Sequence, residues 1–159
     1  MAIQSILTGI VTNKGKEVFA QRLGIIGTGV PANTGRAYKF KYGEGGFIDT
    51  GSGRIPKDPN DGSTLTDVEA AASGLLFEFE KLLIATDFTF IQVDPSTNIM
   101  QIRCRVVELE ANDNGFGESP RFFEIGIFDD EDNMLIWTTF SEQTKSATKI
   151  LANFIQVVF

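Results

Sequence analysis

The side chains with the most chemical promise fall in four short stretches of the 159-residue sequence. FFEIGIF (122–128) sets one carboxyl, Glu124, inside an apolar run. A charge there must pair, with Arg103, Arg105 or Arg121, or lie on an exposed face. The expected reading is a structural salt bridge; the alternative is the acid of a carboxylate pair that hydrolyses glycans, a chemistry that needs no histidine. DDEDN (129–133) and DPNDGS (58–63) offer oxygens to a cation. The first lacks the Gly at position 6 and the closing Glu of a calcium loop, and the second is short of ligands, so a hairpin turn is expected at DDEDN. GIIGTG (24–29) and GEGG (43–46) invite a phosphate-loop reading. Neither has the strand–helix frame or the following Lys, and tight turns explain both. Tyr38, Lys39, Phe40, Lys41 and Tyr42 interleave aromatics with bases as a single-strand nucleic-acid platform would. In an acidic chain they read instead as a strand with an outward-facing lysine pair.

Absences narrow the chemistry further. There is no histidine and one cysteine, Cys104. Ser-His-Asp and Cys-His catalysis are therefore impossible within one chain, and structural zinc lacks its ligands. A lone Cys forms no internal disulfide, which fits synthesis in a reducing cytoplasm. The start, MAIQSILTGIVTNKGK, lacks the pattern of a signal peptide, and no apolar run approaches a membrane span. The net charge is −7, with 8 basic and 9 acidic residues in 1–80 against 6 and 12 in 81–159. That balance opposes nucleic-acid binding. It suits a solvated acidic face, or a contact surface for a basic patch on a partner.

The elements that must position these groups begin with a helix. Thr12 or Asn13 can cap it, Val18, Phe19, Ala20 and Leu23 supply its apolar stripe, and Gly24 ends it. Gly15 inside it costs about 1 kcal/mol against Ala, so either the helix starts late or a close contact needs the missing side chain. GIIGTGVPANTG (24–35) should hold no regular element. AYKFKYGEGG (37–46) predicts a strand, and residues 47–67 a long polar loop of the kind that makes contacts on assembly. Residues 68–84 are helix-like at first and strand-like from Phe77. Strands follow at 86–94, 99–110, 121–130 and 134–140, with a last strand in ILANFIQVVF (150–159). Ile102, Cys104 and Val106 share the apolar face of theirs, which makes Cys104 a core residue. FIQVVF is open to pairing with a neighbour if it lies at a sheet edge. The expected class is α+β, an N-terminal helix packed on an antiparallel β-sheet or small β-sandwich, in a single domain 1–159 with a long loop at about 43–67.

RFFEIGIFDDEDNMLIWTTF (121–140) resembles a hairpin of bacteriophage tail-collar fibre and tail-fibre N-terminal attachment domains. The matching residues are Glu124, Ile125, Gly126, Ile127, Phe128, Asp129, Leu135 and Ile136. Thr12, Gly15, Phe19 and Ala20 match the family's opening helix, and Gly43, Gly45 and Gly46 the end of its aromatic strand. Order and spacing agree over residues 8–159. The resemblance implies a virion structural protein without catalysis, and hence no catalytic, cofactor-binding or metal residues and no cofactor. The family domain precedes a long fibre shaft, whereas this chain stops at Phe159 and carries an insert at 47–67. The expectation is therefore a baseplate or collar component, an adaptor that attaches tail fibres. Its expected partners are other virion tail proteins and copies of itself, with no nucleic acid and no membrane, and its expected place is the virion tail after synthesis in the host cytoplasm. The alternatives are a carbohydrate-binding or glycan-cleaving tail module built on Tyr38, Tyr42, Trp137 and Glu124, or the equivalent part of a cellular contractile injection system.

Overall fold

The computed structural model describes residues 2–24, 36–57, 78–94 and 96–158. In chain order its elements are β1 (Ala2–Thr8), β2 (Ile10–Val11), helix α1 (Asn13–Gly24), β3 (Lys39–Gly43), β4 (Phe47–Asp49) and β5 (Arg54–Pro56). There follow β6 (Glu78–Leu82), β7 (Phe88–Asp94), β8 (Thr97–Val106), β9 (Arg121–Phe128), β10 (Met134–Thr144) and β11 (Ile150–Val158). One sheet has the order β1-β11-β8-β7, a second β2-β10-β9-β3-β6, and β4 and β5 form a separate hairpin. All pairings are antiparallel except β1 on β11.

The expected α+β class is overturned: the fold is mostly β and sandwich-like, with one α-helix among the described residues. Two features account for the difference. AIQSILT, upstream of the helix, is a strand whose register is supplied by β11, with Ser5 opposite Asn153. No local pattern announces a partner so far away. Among its described side chains the helix supplies one buried core hydrophobe, Val18, with Phe19 partly buried against the same core. The core lies between the two sheets. Ile102, Cys104, Val106, Leu151, Ile155 and Val157 meet Phe40, Tyr42, Phe122, Ile125, Ile127 and Ile136 there. Polar links cross it as well. The Tyr42 hydroxyl donates to the Cys104 carbonyl at 3.0 Å, and the Asn153 and Gln143 amides bond each other.

The chain crosses from one sheet to the other at Gly9, where a Cβ would lie 2.6 Å from methyls of both Ile136 and Ile155. Directly after it Thr12 caps α1: its hydroxyl accepts from the Gly15 N–H at 2.8 Å and donates to the Met134 carbonyl. Gly15 is required by a close approach, since a Cβ there would stand 2.3 Å from the Leu135 carbonyl oxygen. The helix thus starts on time, and its first turn is seated on β10. The segment expected as one loop from 47 begins instead with the β4–β5 hairpin; residues 58–67 and 25–35 lie outside the described residues.

The last strand is not at an edge. β11 lies between β1 and β8, and the edges of its sheet are β1 and β7. Removing residues 154–159 takes the buried Ile155 and Val157 from the middle of that sheet, each worth roughly 1.5–3 kcal/mol of burial, along with two rows of ladder hydrogen bonds. The truncated chain is expected to lose its cooperative urea transition. A sharp, near-wild-type transition would show that the strand is dispensable.

Candidate functional site

Glu124 lies on the face of the second sheet that points away from the core, yet it is 0% exposed. Its covering is specific. Gly43 stands opposite it across the β3–β9 ladder, and a Cβ on Gly43 would come within 2.5 Å of Oε1. A Cβ on Gly46, whose φ is +75°, would lie 2.7 Å from the Glu124 Cβ. The fully buried Trp137 indole donates to Oε2 at 3.0 Å. Above them the β4–β5 hairpin is tied down by two bonds: Lys57 N–H to the Gly46 carbonyl, 2.9 Å, and the Thr139 hydroxyl to the Lys57 carbonyl, 2.5 Å.

Of the alternatives expected for Glu124, the structure excludes an exposed position and one of the three arginines. Glu124 takes the Trp137 indole N–H, while Arg103 goes to Asp87 at 3.0 Å. The salt bridge to Arg103 is therefore not the answer. The glycan platform is not assembled either. Tyr42, Trp137 and Glu124 are all 0% exposed, Tyr42 on the core side of the sheet and the other two beneath the hairpin; Tyr38 alone of the four reaches solvent.

The same face carries a second buried group of charges. Lys39 and Lys41 do point out of the core, as the alternation requires, but they are covered rather than solvated. Lys39 Nζ lies 2.6 Å from Asp132 and 3.0 Å from Glu80. Lys41 Nζ lies 3.3 Å from Glu78, 3.4 Å from Asp132 and 3.5 Å from Glu80, and 4.7 Å above the Phe128 ring. Burial opposes the charge on Lys39, but the bonds to Asp132 and Glu80 outweigh it and raise its pKa. Burial raises the Glu78 carboxyl, partly opposed by Lys41. The Lys39 bond holds Asp132 below the usual carboxylate range despite some burial. With its lysines engaged and Phe40 and Tyr42 in the core, the stretch 38–42 presents no base-stacking platform.

The remaining candidates resolve as structure. Asp129 is buried, and its oxygens accept from Glu131 N–H, Asn133 N–H and the Asn133 amide at 2.9–3.1 Å, so DDEDN closes the β9–β10 hairpin through its first residue. Cys104 is buried, and burial pushes its thiol well above the ordinary range. Lys145 gave no signal in sequence. It is fully buried, bonded to Asn112 and the Ser146 carbonyl at 2.8 and 2.7 Å, with burial lowering its pKa. Among the described residues no group of three or more His, Cys, Asp or Glu is placed to hold a metal, and no helix is long and apolar enough to cross a membrane. DPNDGS and most of GIIGTG lie outside the described residues. Comparison with protein-family models, curated proteins and solved structures finds no match.

Two outcomes follow from this geometry. Gly46→Ala combines left-handed strain with a clash against Glu124 and is expected to lower stability by roughly 2–4 kcal/mol. Gly51→Ala has a similar φ (+77°) but open space around it, and should lose only about 1–2 kcal/mol. Equal losses in urea denaturation would remove the crowding argument. The second concerns pH. Asp132, at φ +62°, can be replaced by Asn without backbone cost. Its folded pKa is depressed, so its contribution is complete above the unfolded value and vanishes as pH falls through the folded one. Glu78, raised, works in the opposite sense and is relieved by protonation; the Lys39 contribution is lost only at alkaline pH. The gap in urea midpoint between wild type and Asp132→Asn should therefore narrow as pH is lowered from about 6 to about 2.5. A constant gap would exclude the carboxylate charge as its cause.

Proposed function

We propose that the chain is a non-enzymatic structural component of a phage tail, an adaptor at the baseplate or collar to which fibre chains attach. The observation that carries this reading is where the resembling residues go. Thr12 and Gly15 seat on Met134 and Leu135. Gly43 and Gly46 close over Glu124, and Asp129 ties the turn between β9 and β10. Pieces that are separate in sequence thus form one interlocked frame. Their shared pattern serves shape, and a part that other proteins dock on is selected for shape. Among the described residues β1 and β7 are the edge strands of their sheet, the latter with Phe90 and Val93 exposed, and edge strands suit pairing within a larger assembly.

On this reading the partners are other tail proteins and copies of the same chain, with neither nucleic acid, membrane nor cofactor involved, and the chain resides in the virion. The glycan-module alternative loses its support with the burial of Tyr42, Trp137 and Glu124. The cellular injection-system alternative shares the scaffold and differs in the particle that contains it. Immunogold electron microscopy of intact and disrupted particles from a producing lysate distinguishes these. Gold at the collar or at one end of tailed particles is expected. Unlabelled particles in both preparations, with an antibody that binds the native chain, would overturn the tail reading, and labelled head-less tubes would favour the injection-system part.

A further inference from the structure

The loop between β8 and β9 projects two of the most exposed large side chains described, Leu109 at 83% and Phe116 at 86%. It is an ordered loop. Asp113 accepts from Gly115 N–H, Asn114 accepts from the N–H groups of Phe116 and Glu118, and Asn114 N–H returns to the Glu118 carbonyl. Gly115 and Gly117, at φ +87° and +80°, turn the backbone on either side of Phe116. The result is a phenyl ring held at a loop tip and flanked by the exposed acids Asp113 and Glu118. A loop backbone already fixed by its own hydrogen bonds pays little further backbone ordering on binding.

The same chain has a recess of matching size and opposite charge. Between β6 and β8 a cleft of about 150 Å³ is lined by the apolar Phe40, Leu82, Ile84 and Val107, by the cations Lys81, Arg103 and Arg105, and by one carboxylate, Asp87. A cavity of about 150 Å³ accommodates one benzene ring. Leu82 and Ile84 are themselves 53% and 61% exposed, so apolar surface rims the opening. Two of its three cations are engaged, Lys81 with Glu110 and Arg103 with Asp87. Arg105 is exposed and has no ion pair among the described residues. In a protein of net charge −7, this locally positive cleft is where a like-charged copy can approach.

We infer that Phe116 of one copy inserts into the Lys81–Arg105 cleft of a second copy, with Asp113 and Glu118 of the loop meeting Arg105. Size, apolar rim and charge all agree with this occupant. The inference deepens the assembly reading by naming a partner, and it stands or falls apart from the virion experiment: labelled tails with a chain that never self-associates would sink the contact alone.

The test uses sedimentation velocity of the full chain over a concentration series, with two exposed-site variants whose folding is checked by circular dichroism. Phe116→Asp removes the ring and leaves the cleft; Arg105→Glu spoils the cleft and leaves the ring. Wild type is expected to self-associate, and each variant to do so at least about tenfold more weakly, as loss of a central aromatic or charged contact commonly gives. An equimolar mixture of the two variants keeps one intact ring and one intact cleft, and should associate where neither does separately. Wild type that remains monomeric throughout, variants that associate like wild type, or a mixture that recovers nothing would each overturn the contact.

Discussion

A carboxyl group packed into the face of a β-sheet is the constraint on which much else here depends. Removing such a group from water costs several kcal/mol unless its oxygens are met by donors and its surroundings are closed. The space Glu124 occupies is made by deleting side chains at Gly43 and Gly46, and the donor is the indole of Trp137, one strand over. Enclosing the carboxyl and bringing the indole to Oε2 together set the register of β3 on β9 and fix which way β10 faces. Enclosure also calls for a lid, which the β4–β5 hairpin provides through Lys57 and Thr139. A slip of one residue in either ladder would move the carboxyl to the other side of the sheet, into the apolar core.

The far end of the same face meets a similar difficulty by a different route. Lys39 and Lys41 stand two residues apart on β3 and thus share a face, with Glu78 and Glu80 on the neighbouring β6 and Asp132 from the β9–β10 turn. Three carboxylates around two ammoniums leave the group acidic, consistent with the acidic balance of the chain. Each acid has its own environment: burial dominates at Glu78, the lysine bond at Asp132. Polar groups thus lie at both ends of this sheet face, beside a small second apolar cluster of Phe128, Met134 and Trp137, while the larger cluster fills the side facing β8 and β11.

How much of this was legible depends on the range of the forces involved. β8, β9, β10 and β11 are readable because alternation is a local signal: Ile102, Cys104 and Val106 do face inward, and Arg103 and Arg105 outward. Thr12 as helix cap and Gly15 as a close contact are readable for the same reason. The class was not, because β1 pairs with a strand at the other end of the chain and its own seven residues carry no clean period. Glu124 was singled out by its apolar neighbours, but its partner was not foreseen. A carboxyl in a run of Phe and Ile suggests a guanidinium, and nothing local reveals an indole thirteen positions on. Lys145, following the unremarkable SEQT, carries no signature of burial at all.

The pairing of β1 with β11 also orders events in time. Ser5 and Asn153 are 148 positions apart, and Gly9 admits the chain to the second sheet only between Ile136 and Ile155. During synthesis residues 2–8 therefore wait for their neighbour until residues 150–158 have left the ribosome, after every other described strand has emerged. Loop closure over such a span is slow compared with the formation of hairpins such as β7–β8 or β9–β10. A nascent chain of this design carries β1 without its β11 partner while residues 9–149 are made. Its folding yield consequently depends on keeping that strand from the strands of neighbouring nascent chains.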